Sequence, residues 1–229
     1  MKYSGVMRGV YAISMWVMRF SIINLLWLLF QLPIIFIVVS ILYANSKEDI
    51  IILLPILIIL IPFLLFPATQ SMFSTVRDWL INDDDKGLIQ SYIKYYKENY
   101  KKSMKTGIIL TVIWGIWGFD FYYFSKESVV LMFMVGFLGL LLYVYTINIF
   151  SLNAHFHLSL AGLLKKSLII TIGSPILTII ILLSNFLLLV ISIYKLTFLI
   201  PFFTGALITF LSFSAFYRQY VNLSHQNGQ

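Results

Sequence analysis

Six long apolar runs are the feature that most limits what this chain can fold into. A helix of about 20 apolar residues crosses the roughly 30 Å hydrocarbon core of a bilayer. Only 11% of the 229 residues are charged and the mean hydropathy is +0.93, whereas soluble domains carry about a quarter charged residues. The sequence therefore predicts an all-α membrane protein, a single polytopic domain over residues 1–229, with six transmembrane helices at about 20–43, 50–76, 106–124, 129–150, 167–193 and 196–217.

The distribution of lysine and arginine predicts the orientation of these helices. With the N-terminus inside, only Lys47, Lys126 and Lys195 of the 16 basic residues fall in outer segments. Because basic residues concentrate in cytoplasmic loops, both the N- and C-termini are expected to be cytoplasmic. The net charge of +7 arises from short segments that flank apolar runs. Anionic phospholipid explains that placement better than a nucleic acid partner does.

A polar segment between spans two and three has its own pattern. Asn82 to Asp85 supply a cap and negative charge for the start of a helix at about 86–103. One side of this helix is apolar and tyrosine-rich, with Leu88, Tyr92, Tyr96 and Tyr100. The pattern predicts an amphipathic helix in the cytoplasmic interface. Its opposite side is a candidate lipid or partner face, made of Lys94, Lys97, Lys101 and Lys105.

The second span ends in a distinctive stretch, residues 64–80. Pro67 removes a backbone hydrogen bond and predicts a kink. Ala68, Ser71 and Thr75 then form a stripe of small side chains, which favours a close contact between helices. The alternative is a substrate or partner groove opened by Pro67 and lined by Thr69, Gln70, Ser71 and Ser74.

Charged and amide side chains near or inside the spans have mainly structural interpretations. Arg77 and Asp78 are typical of a stop signal at the membrane interface, with Trp79 in the aromatic belt. Alternatively, Asp78 pairs with Arg19, which also lies at a cytoplasmic helix end. Asp120 lies close enough to an outer turn to reach water. Amide side chains inside the spans are expected to form hydrogen bonds between helices, namely Asn24, Gln31, Asn148 and Asn185.

The sequence indicates no catalytic, cofactor or metal site. There is no cysteine, which excludes disulfides and thiolate ligands. His155 and His157 are two residues apart, so on a helix they point to different faces. Motifs of metalloproteases, serine hydrolases, phosphate-binding loops and dinucleotide-binding folds do not occur. We therefore predict a protein that is not an enzyme.

Two short similarities are consistent with an internal repeat of helical hairpins, but they are short enough to arise by chance. Lys101-Lys102-Ser103-Met104 precedes span three, and Lys165-Lys166-Ser167-Leu168 precedes span five. Phe66-Pro67-Ala68-Thr69 also resembles part of the segment Ile200 to Thr204.

Three motifs in the first 105 residues resemble the YesL-like family of bacterial membrane proteins, also called domain of unknown function 624. The first runs from Gly9 to Trp27, the second from Phe66 to Trp79 and the third from Tyr96 to Ser103. The later spans match that family only in hydropathy and length. The resemblance implies a plasma-membrane protein of Gram-positive bacteria, whose relatives often lie near genes for carbohydrate uptake and polysaccharide use. It also implies that certain positions matter for fold or function: Arg19, Asn24, Pro67, Arg77 and Trp79.

These observations predict a non-enzymatic accessory or regulatory component linked to carbohydrate uptake or use. Its expected partners are the phospholipid membrane, with permease subunits of a sugar transporter or further copies of the chain. A small secondary transporter is the alternative, because spans two, five and six are broken by proline. An enzyme acting on a lipid or a lipid-linked sugar is a second alternative.

Overall fold

The protein, described here from a computed structural model over residues 5–81 and 87–227, consists of helices in all of its described elements. Six helical segments in that part of the chain are long and apolar enough to cross a membrane. This confirms an all-α, multi-pass membrane protein with six spans. The α-helices are α1 (Gly5–Leu42), α2 (Lys47–Leu60), α3 (Phe66–Ile81), α4 (Leu88–Glu127), α5 (Val129–His155), α6 (Leu160–Gly173), α7 (Pro175–Tyr194) and α8 (Gly205–Asn227).

Helix α3 lies at the centre of the bundle. It packs against α1, α4, α5 and α8, and 11 of its 16 residues are buried. Small side chains make this possible, since they let neighbouring backbones approach closely. Gly107 of α4 is one such residue, because a Cβ atom there would lie 2.8 Å from Cγ of Phe66. The polar end of span two is thus the core of the fold.

Two π-helical turns occur in the described part of the chain, and they have similar sequences. Ile61–Leu65 joins α2 to α3, and Ile200–Thr204 leads into α8. Both begin Ile-Pro-Phe, and proline lacks the N–H that an α-helix would use there. The internal similarity described from the sequence instead matches the second turn with the segment that starts at Phe66. The two π-turns are a better structural match, since each precedes the helix that completes a span.

Two of the expected boundaries disappear because helices run through them. Span one was expected to begin at about residue 20, but α1 already begins at Gly5 and runs to Leu42. The amphipathic segment expected at about 86–103 is likewise not a separate helix, because it continues without a break into span three as the first part of α4. Residues 82–86, which include the expected cap and the first residue of that helix, lie outside the described residues.

The fifth span is shorter than the sequence indicated. Residues 167–193 were expected to form one helix, but α6 ends at Gly173 and α7 begins at Pro175. Proline fits the first position of a helix, where its missing N–H has no partner to lose. The break therefore turns the start of the expected span into a separate short helix. Span six begins later than expected, at the π-turn that starts at Ile200, and its helix α8 continues past the expected end to Asn227.

A polar cleft at the Arg77 end of the bundle

Arg77 connects three helices at the end of the bundle where α3 and α5 end. Its Nε and Nη2 atoms donate to Oδ1 of Asp78 at 3.0 and 2.5 Å. Nη2 also donates to the Tyr95 hydroxyl of α4 at 3.3 Å, and that hydroxyl donates to the other carboxylate oxygen of Asp78. Nη1 donates to the carbonyl of Ala154, in the last turn of α5, at 2.6 Å. Such a carbonyl lacks a helical N–H, and a cation there complements the helix dipole.

A cleft of about 730 Å³ opens beside this arginine, between α3, α4, α5 and the start of α6. Its volume lies within the range of small-molecule sites, roughly 300–1,000 Å³. Polar side chains dominate its lining. They come from distant parts of the chain and comprise Ser74, Arg77, Tyr95, Glu98, Asn99, Lys102, Asn153, His157 and Ser159.

Burial changes the acid–base behaviour of two groups in the polar first part of α4, before its apolar stretch. Burial raises the pKa of Tyr95 to about 12, and the hydrogen bond to Asp78 acts in the same direction. Burial lowers the pKa of Lys102, because a desolvated ammonium is less stable than a solvated one. Tyr95 is thus a neutral hydrogen-bonding group, and Lys102 is a cation held partly away from water.

Asn153 is the most deeply buried polar residue of the cleft apart from Ser74. Its side chain is 8% exposed, and its Oδ1 atom has no hydrogen-bond partner in the described structure. Buried amide oxygens are nearly always paired. The cleft therefore contains an acceptor that a bound molecule could satisfy.

Arg19 and Trp79 lie together on the other side of α3. The Arg19 guanidinium is 5.4 Å from the ring centre of Trp16 and 5.8 Å from that of Trp79. Trp79 is only 5% exposed, so it belongs to the core rather than to an aromatic belt. The alternative pair between Arg19 and Asp78 does not form, since the carboxylate of Asp78 binds Arg77 and Tyr95.

The small residues that follow Pro67 face α4. The Ser71 hydroxyl donates to the carbonyl of Tyr92 at 2.5 Å, and the Tyr92 hydroxyl donates to the carbonyl of Ala68 at 2.9 Å. Thr69 accepts a hydrogen bond from Nε1 of Trp27 at 3.0 Å. These contacts match the packing interpretation of the stripe. Of the residues in the alternative groove, Ser74 is the one that lines the cleft.

Asn24 holds the second π-turn in place. Its Nδ2 donates to the carbonyls of Ile200 and Pro201 at 3.1 and 2.7 Å, and its Oδ1 accepts from the N–H of Ala206 at 3.0 Å. Gly205 permits this approach, because a Cβ there would lie 2.9 Å from Oδ1 of Asn24. The amide thus does what the sequence predicted for residues of its type.

Of the other three amide side chains, two form hydrogen bonds to another helix and one does not. Asn148 donates to Thr171 at 2.9 Å, and Asn185 donates to Ser212 at 3.0 Å. Gln31 is only 3% exposed, yet its two polar atoms have no partner in the described structure. It therefore departs from the prediction of interhelical bonding.

The tyrosine side of α4 packs inside the bundle rather than on lipid. Tyr92 is fully buried, and the Tyr96 ring stacks on Phe30 of α1 with centroids 4.3 Å apart. The opposite side carries four exposed lysines, which we call the lysine stripe: Lys94, Lys97, Lys101 and Lys105.

The sequence did not lead us to predict the cleft, although two features of the sequence indicate it. Lys102 lies next to the lysine stripe in sequence but off it on the helix, which distinguishes it from its exposed neighbours. Asn153 lies in the last turn of α5 and His157 in the loop that follows, whereas His155 packs against aromatic rings such as Tyr220. Neither signal identifies its partners, which lie about 50 residues away in the chain.

Comparison with known proteins shows which proteins the chain resembles. A model described as "Protein of unknown function, DUF624" matches residues 20–121. The protein named "Uncharacterized protein YesL" of Bacillus subtilis (strain 168) is 25% identical over 216 residues, covering 92% of this chain and 91% of its own.

Two further proteins of the same strain are similar. "Uncharacterized protein YteU" is 23% identical and covers all of this chain and 93% of its own, and "Uncharacterized protein YesV" is 26% identical over about half of each. No solved structure matches the chain. The match of residues 20–121 to this family model and the similarity to YesL and YteU confirm the resemblance to the YesL-like proteins.

Proposed function

We propose that this protein is a non-enzymatic accessory or regulatory component of the plasma membrane, linked to carbohydrate uptake or use, which binds a permease partner through the lysine stripe of α4. The observation that carries the proposal is the contrast between the two sides of that helix. The tyrosine side is packed into the bundle, so the stripe is the side left to bind something else. The link to carbohydrate rests on the resemblance to the YesL-like family.

The geometry of the stripe suits an extended acidic surface. Its members recur three or four residues apart over the 12 residues from Lys94 to Lys105, a rise of about 16 Å. Lys94 lies 3.9 Å from Glu98, and both side chains are more than half exposed, so this pair contributes little. Each lysine near an anionic surface contributes about 1 kcal/mol. Under the positive-inside rule the stripe lies in the cytoplasm, with both termini on the same side.

The alternative of a small secondary transporter has one observation in its favour. The two π-turns are proline-broken segments in corresponding positions, and such breaks often mark a binding site in transporters. Against it, the carbonyls at the second turn already receive hydrogen bonds from Asn24, so they are not open to a substrate or ion. This weighs towards the accessory role.

Affinity purification from native membranes tests the proposal. The wild-type protein should recover sugar-transporter permease subunits, identified by mass spectrometry, and the double variant Lys97→Gln/Lys101→Gln should recover much less. Lys165→Gln/Lys166→Gln is the matched control, since it removes two exposed lysines elsewhere. Equal recovery by both double variants would contradict a role for the stripe. Sugar flux in liposomes containing the purified protein alone would instead favour the transporter.

A further inference from the structure

We propose that the polar cleft is a binding site for a phosphate group that carries, or lies beside, a hydroxyl donor. Lys102 provides the charge, and Asn153 accepts from the hydroxyl. The site does not depend on the lysine stripe or on a permease partner, so it goes beyond the function proposed above.

Lys102 is the cation available to such a ligand. The guanidinium of Arg77 is already engaged by Asp78, Tyr95 and Ala154. Lys102 lines the same cleft, and within the described residues no hydrogen bond or ion pair engages its ammonium group. A partly buried cation without a counter-ion attracts an anion more strongly than an exposed one does, because less water screens it.

The acidic residue in the lining does not neutralise this charge. Glu98 also lines the cleft, one helical turn before Lys102, but its side chain is 53% exposed and its carboxylate lies 3.9 Å from the Lys94 ammonium, so water screens its charge. The other nearby carboxylate, Asp78, is bound by Arg77 and Tyr95. Lys102 is less exposed than Glu98, so water screens its charge less than that of the carboxylate.

The start of α6 adds donors of the same sign. Ser159 caps this 14-residue helix, and its Oγ accepts from the N–H of Gly162 at 3.2 Å. The N–H groups of Leu160 and Ala161, in the first turn of α6, have no acceptor within the helix, and the helix dipole makes this end positive. Ser159 lines the cleft, so a phosphate held by Lys102 would also lie near this helix end.

Asn153 selects the kind of anion. Asn153 lines the cleft, and its buried Oδ1 has no partner among the described residues. A bare oxyanion has no hydrogen to give it, whereas hydrogen phosphate has a P–OH group, and a sugar phosphate or a phosphatidylglycerol headgroup has hydroxyls beside the phosphate. A site that holds an unpaired acceptor rejects a ligand that leaves it unpaired. Phosphate should therefore bind better than sulfate at the same ionic strength.

The test is the thermal stability of the full chain in phosphatidylcholine nanodiscs, titrated with inorganic phosphate or sulfate at constant ionic strength and pH 7. At a phosphate concentration about tenfold above the dissociation constant, the melting temperature should rise by about 4 °C. Sulfate should produce less than half of that shift. Lys102→Gln should abolish the phosphate shift, and Lys101→Gln, which removes an exposed lysine next to it, should keep it.

A second arm separates the sources of the phosphate. If a lipid headgroup is the natural ligand, phosphatidylglycerol nanodiscs should stabilise the wild type and Lys101→Gln over Lys102→Gln without added phosphate. If it is a soluble phosphate, the difference should appear only on titration, and either result supports the site. Asn153→Leu should reduce the preference for phosphate over sulfate. Equal shifts for Lys101→Gln and Lys102→Gln in both arms, or no shift in the wild type, would overturn the proposal.

Discussion

Replacing Asn24 by leucine removes the side chain that holds the second π-turn. The substitution keeps the number and branching of the side-chain heavy atoms of a fully buried residue but removes three hydrogen bonds, to the carbonyls of Ile200 and Pro201 and from the N–H of Ala206. Hydrogen bonds between membrane helices contribute about 0.6 kcal/mol each on average. The three bonds alone therefore account for about 2 kcal/mol.

The groups left behind increase the loss. Asn24 joins α1 to the turn before α8, so its removal takes one partner from each of two carbonyls and from the N–H of the buried Ala206. A buried backbone group without a partner costs about 1–3 kcal/mol. Because the turn can partly relax, we expect Asn24→Leu to lower the free energy of unfolding by about 2–4 kcal/mol.

Reversible unfolding in bicelles, followed by intrinsic fluorescence, measures this difference. Ser40→Ala is the control, because the exposed Ser40 hydroxyl bonds only to Phe36 in its own helix, and its loss should change stability by less than about 0.5 kcal/mol. A loss of stability for Asn24→Leu as small as that of the control would refute the stabilising role of the Asn24 hydrogen bonds. Asn24→Asp should be no better than leucine, since a carboxylate would face two carbonyl oxygens.

Three further changes test other parts of the structure. Gly107→Ala should destabilise the protein by about 1–3 kcal/mol, because the added methyl group overlaps with Phe66. Gly115→Ala is the control, since a Cβ atom there meets nothing within 4 Å. Equal stability of the two variants would contradict the close packing of α3 on α4. Arg77→Lys should lose about 1–3 kcal/mol in an unfolding titration despite keeping its charge, because lysine cannot reach Asp78, Tyr95 and Ala154 together; a neutral result would show that charge alone suffices. Since the chain has no cysteine, Lys97→Cys and Lys126→Cys can report orientation: an impermeant maleimide added to intact cells should label only Lys126→Cys, and the reverse pattern would invert the topology.

Most of the architecture could be predicted because it depends on hydropathy. Bilayer thickness fixes the length of a span, so the six apolar runs became six spans. The boundaries were harder because polarity was taken as a sign of a helix end. Residues Tyr100 to Thr106 are polar but contain no helix-breaking residue, so α4 passes through them. At Gly173-Ser174-Pro175 the opposite holds: the surrounding sequence is apolar, but a glycine followed by a proline at the next helix start separates two helices.

The site was less predictable because its geometry is not local. Ser74, Lys102 and Asn153 come from three helices, and nothing in one segment indicates which other segment it faces. Asn24 is an intermediate case. Its type and position within a span predicted a hydrogen bond to another helix, but its partners are backbone groups exposed by a π-turn nearly 180 residues away. Sequence alone indicated the need for such a bond, while the fold determined where it formed.

The unbroken length of α4 has a mechanical consequence. At 40 residues the helix is about 60 Å long, with the lysine stripe and Lys102 in its first half and the turn at Ser128 beyond its far end. A helix without a hinge moves as one rod, so a tilt imposed at one end is transmitted to the other. Binding at the stripe would thus displace the wall of the cleft. It would also move the α4–α5 turn, on the far side of the bilayer, in the opposite direction. A partner that binds this helix at one surface of the membrane would therefore also move the end of the helix at the opposite surface.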